Sequence, residues 1–282
     1  MELSGISHRI VSDLLEERTG QQLTEGRRWR ISTALSGVFR ERGISNVDQL
    51  VCLLAQPEDE ELSKDVVEAL LNNETYFYRD RAMFDLLANT VLPALARKRQ
   101  NTKRITIWSA GCSTGQEALS LAMIFLEQNG RWADWQIDIV GTDISEKAIA
   151  AARAGCYSQF EVQRGLSIAQ MLKYFEETPD GWKATNRLRQ MVRYETHNIN
   201  EPFNSNRLFD LVLCRNVLLY FSPETRMRVF ERLSSAMADD ALLMLGAGET
   251  VVGQTDLFEP VKGSQGLYRP ASLGPDLKAL YA

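Results

Sequence analysis

Residues 104–143 constrain the fold more than any other stretch. Arg104-Ile105-Thr106-Ile107-Trp108-Ser109-Ala110 reads as a buried strand, and Gly111-Cys112-Ser113-Thr114-Gly115-Gln116-Glu117 as a tight turn of small residues. An apolar helix follows to about Gln128, and a second strand, Gln136 to Gly141, ends in Thr142-Asp143. This is a strand–turn–helix–strand unit with glycine at the first crossover and an acid at the next strand tip. Backbone without Cβ atoms lets a ligand approach the turn, and a carboxylate at the second tip can accept both hydroxyls of a ribose. The unit therefore points to a nucleoside-containing cofactor, although a plain structural turn would use the same glycines.

The details choose among cofactors. A dinucleotide fold wants G-x-G-x-x-G, because pyrophosphate sits against the helix N-terminus. Here Glu117 occupies the first helical turn, where a carboxylate repels phosphate and suits the ammonium of an amino-acid moiety. No Lys follows the turn, so a P-loop is excluded as well. A cofactor with ribose and adenine but no phosphate fits best, which is S-adenosylmethionine, with S-adenosylhomocysteine as product.

Composition narrows the remaining classes. The 282 residues suit one large or two small domains, and 44% hydrophobic with 24% charged residues is the balance of a globular protein. A net charge of −5 argues against a dedicated nucleic-acid binder. No apolar run reaches the roughly 18 residues of a membrane span, and Met1-Glu2-Leu3-Ser4-Gly5 lacks the features of a signal peptide. Cys52, Cys112, Cys156 and Cys214 form no C-x-x-C pair, so reduced thiols in a cytoplasmic protein are expected. With only His8 and His197, neither a metal site nor a histidine acid–base scheme is expected.

Residues 1–72 read as helices. Ile6, Ile10, Val11, Leu14 and Leu15 form one stripe, ended by Thr19-Gly20; Ile31, Ala34, Leu35, Val38 and Phe39 form a second, ended by Arg42-Gly43. Val47, Leu50, Val51 and Leu54 make a third, and Leu62, Val66, Val67, Leu70 and Leu71 a fourth, for which Pro57-Glu58-Asp59-Glu60-Glu61 is a good start. A helix from about Asp80 to Arg99 leads into the first strand. From 104 onward strands and helices alternate, which implies a parallel sheet covered on both faces. Further strands are expected at Met191–Glu195, Phe209–Cys214 and Ala241–Leu245, with helices from Ser145 to about Ala154 and from about Ser222 to Ala238. Leu257 to Tyr268 suggests an antiparallel hairpin. The irregular stretch 156–190, with a turn at Thr178-Pro179-Asp180-Gly181, is too long for an ordinary connection and reads as a small insertion.

In such a sheet the ligand lies across the carboxyl ends of the strands, so residues just after each strand carry most weight. Ser145 can cap the helix that follows Asp143, which frees Asp143 for ribose. Asn198 can pair with an adenine edge or simply form a turn. Arg215, directly after an apolar strand, needs an anion. With Tyr220 it can orient a carboxylate substrate, or it can hold a loop carboxylate of the chain itself. The aromatic segment Asn72–Asp80 suits an interdomain hinge, or a lid in which Arg79 meets the cofactor or the substrate. Arg27, Arg28, Trp29 and Arg30 form a basic patch, and Arg30, Thr33, Gly37 and Arg40 share one helix face that is either solvated or a docking surface for an acidic helix.

Four segments together carry a family resemblance over nearly the whole chain: Asn73-Glu74-Thr75-Tyr76-Phe77-Tyr78-Arg79, Trp108 to Glu117, Gly141-Thr142-Asp143-Ile144, and Cys214-Arg215-Asn216-Val217-Leu218-Leu219-Tyr220-Phe221. The chain resembles the bacterial chemotaxis receptor methyltransferases of the CheR family, which methylate glutamates on chemoreceptors. That resemblance implies a doubly wound, mostly parallel Rossmann-like α/β methyltransferase sheet over 80–282, an N-terminal all-helical receptor-docking domain with linker over 1–79, and a small β subdomain at 156–190. It implies a cofactor pocket of Asn73, Thr75, Arg79, Glu117, Asp143, Asn198, Ile199, Arg215 and Asn216, with Arg215, Tyr220 and Arg79 as catalytic candidates. Where the family often has Glu-Glu, this chain has Gln116-Glu117, so only Glu117 is carried over. Its partner would be the cytoplasmic helical bundle of transmembrane chemoreceptors, met through Arg30 and Arg40. In some members a receptor tail peptide docks on the inserted subdomain. A cytoplasmic monomer without nucleic-acid partners is expected.

Glutamate is an undemanding acceptor. With a pKa of about 4.3 it is already a carboxylate at neutral pH and needs no general base. The protein's contribution is then desolvation and alignment. Rival readings are a methyltransferase of the same fold acting on RNA, on another protein or on a small-molecule carboxylate, and a cofactor-binding sensor without turnover.

Overall fold

The computed structural model describes residues 2–23, 30–56, 60–203 and 208–271, with the backbone alone at 2–4 and at Arg30. The expected basic residues Arg27, Arg28 and Trp29 and the helix start Pro57-Glu58-Asp59 lie outside the described residues. The chain divides into two compact units, Met1–Asn72 with Tyr220–Arg226, and Asn73–Leu219 with Met227–Ala282. The division falls at 72/73, ahead of the expected boundary at 79. The reason is burial: Phe77 and Tyr78 are 0% and 5% exposed within the core of the second unit.

The first unit is helical, with helices Glu2–Thr19, Arg30–Ala34, Ser36–Arg42, Val47–Leu54 and Glu60–Leu70. The stripes legible in the sequence meet in one core of Val11, Ile31, Leu35, Val38, Leu50, Leu62 and Val66. Gly43 ends the third helix in the left-handed region, and Asn46 opens the fourth by accepting the Gln49 N–H. The second sequence stripe splits into two helices at Leu35, yet Leu35 N–H to Ile31 O and Phe39 N–H to Leu35 O keep the helical path. Thr33 and Arg40 are exposed, and a Cβ added at Gly37 would meet nothing within 4 Å.

The second unit holds two sheets. Its strands are β1 (Arg104–Ala110), β2 (Gln136–Asp143), β3 (Cys156–Tyr157), β4 (Phe175–Thr178), β5 (Gly181–Ala184), β6 (Val192–Thr196), β7 (Phe209–Cys214), β8 (Met237–Leu245), β9 (Phe258–Pro260) and β10 (Leu267–Pro270). Seven of them form one sheet in the order β6-β2-β1-β7-β8-β10-β9. The pairs from β6 to β8 are parallel, and β10 is antiparallel to both β8 and β9. Among the parallel strands chain order runs outward from β1 through β2 to β6 and from β7 to β8, so the crevice at a doubly wound sheet's switch point lies at the carboxyl ends of β1 and β7. β1 and β7 are almost wholly buried, as continuous apolar runs in a two-sided parallel sheet must be.

Two elements depart from the sequence reading. The helix expected from 80 to 99 is interrupted by a π segment, Leu87–Val91, in which the Leu92 N–H reaches Leu87 O five residues back. Pro93 sits in the first turn beyond it and has no N–H to offer the regular ladder. The stretch 156–190 is more regular than it reads. It builds a three-stranded antiparallel sheet, β3-β5-β4, and helices Gln159–Gln163 and Ile168–Tyr174, each opened by a capping box, Ser158 with Glu161 and Ser167 with Gln170.

Among the described residues no helix is long and apolar enough to cross a membrane, and no cluster of His, Cys, Asp or Glu could hold a metal ion.

Candidate functional site

The turn after β1 is tied to the tip of β2. Gly111 and Cys112 N–H both donate to Thr142 O at 2.8 Å, and the Ser113 N–H donates to Asp143 Oδ2 at 2.8 Å. Ser145 caps its helix through the Ala148 N–H, as the sequence suggests. That cap does not leave Asp143 idle, because the Ser145 N–H donates to Oδ1 at 3.0 Å. Each carboxylate oxygen offers two acceptor positions, so these bonds aim the carboxylate while hydroxyl donors can still reach it. Asn73 is brought to the same corner: its carbonyl accepts from Ser113 Oγ at 2.6 Å and its amide donates to Ser145 Oγ at 3.3 Å.

The two glycines of the turn have a reason the sequence did not show. A Cβ at Gly111 would lie 2.4 Å from Val217 Cγ2, and one at Gly115 2.7 Å from the Tyr194 hydroxyl, and both residues have positive φ. Chain packing, as well as any ligand, requires glycine there.

Arg215 meets two carboxylates, both from the chain. Its Nη1 donates to Glu117 Oε2 at 2.8 Å, and its Nη2 to Asp80 Oδ2 at 2.6 Å and to Arg79 O at 2.8 Å. Glu117 is further held by Ser109 Oγ at 2.7 Å. The Arg215 side chain is 2% exposed, that of Glu117 11% and that of Asp80 35%, so the cluster opens toward solvent through Asp80. One guanidinium between two carboxylates leaves a formal charge of −1.

Beside it, Glu249 organises the loop after β7. Its carboxylate accepts the backbone N–H groups of Asn216, Val217, Leu218 and Gly246 at 2.7 to 2.9 Å. Asn216 takes a left-handed conformation, as do Tyr78, Asp80 and Ser113. Four of the five positive-φ residues other than glycine among the described ones thus belong to segments of this site, a strain held in place by these bonds. A cleft of about 570 Å³ runs past the cluster, lined by Asp80, Met83, Gly246, Glu249, Thr250 and Tyr268 among others.

The remaining sequence candidates are placed as follows. Arg79 is half-buried, with Nη1 donating to Glu74 O at 3.0 Å, and Thr75 is half-buried nearby in the chain. Arg164, from the insertion, pairs with Glu74 at 2.9 Å and lies over the Tyr76 ring. Asn198 accepts from the Asn200 N–H and side-chain amide, and Ile199 is buried. Tyr220 falls in the helical unit, where its hydroxyl accepts from the Asn72 amide. Sequence reasoning missed Tyr194 and Glu249, and it gave no role of their own to Asp80, Ser109 and Val217, which lie within segments it singled out. Glu249 had a signal, since Gly246-Ala247-Gly248-Glu249 directly follows a core strand.

Neither buried thiol sits in surroundings that favour its thiolate. Burial, and then the charges of Asp143 and Glu117, push Cys112 up, and burial followed by Glu249 and Glu117 does the same to Cys214. Burial lowers His197 against the pull of Glu201 and Glu195. The site offers carboxylates, one buried arginine and oriented amides: an environment for a cationic, phosphate-free ligand.

Comparison with known proteins agrees. Residues 73–267 match the family described as "CheR methyltransferase, SAM binding domain". The chain is 32% identical over 268 residues to a chemotaxis protein methyltransferase of Vibrio parahaemolyticus, covering 94% of this chain and 96% of that protein. It is 34% identical over 271 residues to chemotaxis protein methyltransferase 1 of Pseudomonas aeruginosa, covering 95% and 98%.

Proposed function

Since the chain belongs to the CheR methyltransferase family and is an S-adenosylmethionine-dependent methyltransferase, we propose that it methylates glutamate side chains of chemoreceptors. The observation that carries this reading is the acidic, phosphate-excluding site at the tips of β1, β2 and β7. Glu117 stands in the first turn of its helix, where a dinucleotide would place pyrophosphate, and Asp143 stands at the next tip. This donor set fits the cofactor, which supplies a methyl group activated on a sulfonium.

Asp143 holds the ribose in this reading, and Glu117 receives the amino group. Asn73, Thr75, Asn198, Ile199 and Asn216 complete the pocket. Arg215 holds Glu117 and the Asp80 segment in register from within the pocket wall. Its two carboxylate partners also spare the acceptor glutamate a tight ion pair, which would dull it as a nucleophile. Arg79, half-buried, is the better placed of the two arginines to meet the cofactor or acceptor carboxylate. The acceptor reacts as the carboxylate it already is at neutral pH, so water exclusion and alignment are the protein's tasks.

Docking on the receptor falls to the helical unit. Thr33 and Arg40 are exposed and Gly37 leaves open space above the backbone, which supports close approach of an acidic helix. A receptor tail peptide on the 156–190 insertion is a second contact. The protein acts as a cytoplasmic monomer and takes no nucleic acid.

The test is transfer of radiolabel from the cofactor to receptor cytoplasmic fragments, with the ester identified by release of methanol in mild base. Label on no fragment, with S-adenosylhomocysteine still bound, would move the acceptor to another protein or a small-molecule carboxylate. Reversing Arg30 and Arg40 to Glu should slow receptor methylation, leave cofactor affinity alone, and abolish the salt sensitivity of the wild-type rate. Unchanged methylation would make this face solvated surface only.

A further inference from the structure

At the outer edge of the large sheet lies a second cleft, of about 430 Å³, which shares none of the residues assigned to the cofactor pocket. Its lining includes Arg153, Asn186, Arg189, Gln190, Arg193 and Tyr194, and no carboxylate among the described residues. Three guanidiniums on one cleft stand out in a chain of net charge −5. They come from three elements: the last turn of the helix Glu146–Ala154, the short helix Asn186–Arg189, and β6. The cleft is a tertiary product.

Each arginine is anchored in a way that leaves donors over. Arg153 Nε and Nη2 both donate to Tyr194 O, at 3.2 and 2.8 Å. Arg193 Nε donates to Glu195 Oε1 at 2.7 Å while most of its side chain stays in solvent. Arg189 Nη2 donates to Asn186 Oδ1, and its Nε is buried with no acceptor. A buried cationic donor without a partner is costly, and an anionic oxygen would satisfy it.

β6 is the sheet's edge strand, which offers a peptide strand as one occupant. Arg153 argues otherwise, because its fork covers the Tyr194 carbonyl that such a strand would need. A compact anion matching guanidinium forks is the better fit, and the volume is that of a small-molecule site.

Tyr194 links this cleft to the cofactor turn. Its ring fills the space a Cβ at Gly141 would need, 2.8 Å from Cδ1, and its hydroxyl donates to Gly115 O at 3.3 Å. Gly141 lies two residues before Asp143, and Gly115 two before Glu117. A ligand that draws on the arginine holding the Tyr194 backbone therefore acts on the residue wedged behind both cofactor-binding acids.

We propose that this cleft binds a small phosphate-bearing effector, and that its occupancy is transmitted through Tyr194 to cofactor affinity. Calorimetry on the full chain saturated with S-adenosylhomocysteine, titrated with inorganic pyrophosphate and separately with ADP, tests binding away from the cofactor pocket. Saturable binding is expected for both. Equal affinities would mean that phosphate alone is read, and tighter ADP that the cleft also seats the nucleoside. Arg189→Gln with Arg193→Gln should weaken either by at least about tenfold. Arg193→Gln alone, at an exposed side chain, should weaken it severalfold and guards against a folding defect at Arg189.

Conversely, saturating pyrophosphate should change S-adenosylhomocysteine affinity in the wild type, and Tyr194→Phe should bring that ratio close to one. Absence of saturable binding, binding indifferent to both arginines, or a wild-type ratio of one would each overturn the proposal.

Discussion

Two arginines of the sheet unit each sit between two carboxylates, at opposite ends of the central strands, and they are built differently. Arg99, where β1, β7 and β8 begin, forms a fork on Asp240, with Nη1 and Nη2 each on one oxygen, and donates from Nε to Asp210 Oδ1 at 2.7 Å. Asp210 also accepts the Thr106 N–H and hydroxyl, and Lys98 pairs with Asp240 at 3.5 Å. All three guanidinium nitrogens are used. Hydrogen bonding to Asp240, against the opposing effect of burial, raises Arg99 above its ordinary value, and the bond to Arg99 lowers Asp240.

Arg215, at the carboxyl ends, is more deeply buried and less completely satisfied. Its Nε has no partner, and one of its two carboxylates, Asp80, stands in a left-handed backbone conformation and reaches solvent. The first cluster ties three strands and a helix together. The second spends backbone strain and an unpaired donor to hold carboxylates where a ligand is expected. The contrast separates a stabilising pole from a binding pole within one sheet.

The comparison breaks first at Arg215. Removing it leaves Glu117 buried without its cation, so Arg215→Ala should cost about 3–5 kcal/mol of stability in denaturant titration. Because the Arg215 Nη2 also holds the Arg79 carbonyl, the substitution should lower methyl transfer more than S-adenosylhomocysteine affinity. Equal losses of both would place it in cofactor binding alone.

Arg99→Met should cost about 2–3 kcal/mol, from charge-assisted bonds lost at Asp210 and Asp240. Calorimetry on the folded variant should find S-adenosylhomocysteine affinity unchanged. A weakened cofactor would join the two poles and erase the distinction.

Glu249→Gln turns an amide group toward backbone N–H donors that now meet a carboxylate oxygen. Cofactor affinity should fall by about 1–3 kcal/mol in binding free energy, with a smaller loss of thermal stability. The opposite ranking would make Glu249 part of the scaffold rather than of the site.

Asp143→Ala should weaken S-adenosylhomocysteine by at least about tenfold, since a charge-assisted hydrogen bond is worth about 1.5–3 kcal/mol. Unchanged calorimetry in the folded variant rejects the ribose assignment.

The smallest effect is at Asp240. A carboxyl lowered in the folded state contributes stability above its unfolded pKa of about 3.9, and that contribution is lost as pH falls through the folded value. Between pH 7 and 5 stability should therefore be flat with respect to this group, and it should decline below about pH 4. Asp240→Asn should be less stable at pH 7 and show a shallower acid decline, read by thermal melts across pH.

Much of the sheet was legible because buried parallel strands are continuous apolar runs. Arg104–Ala110 and Phe209–Cys214 fall where the pattern puts them, and Ser145 caps its helix as its position suggests. The π segment was less visible, since one proline can be accommodated at a helix start or inside a helical run. The insertion read as irregular because its strands have only two to four residues, too few to show alternation.

By itself the sequence determined the alternation that makes a parallel sheet, the strand tips that carry Asp143 and Arg215, and the acid in the first helical turn that turns away phosphate. These are local facts, written in periodicity and in residues adjacent to strands. Only the tertiary structure decided what those residues touch. Arg215 could have faced a substrate or the chain, and its partners Asp80 and Glu117 lie 135 and 98 positions away. The space above Gly111 belongs to Val217, and the loop that carries Asn216 is held by Glu249, 33 positions on. Such pairings depend on how strands are ordered and loops brought together, which no short stretch of sequence specifies.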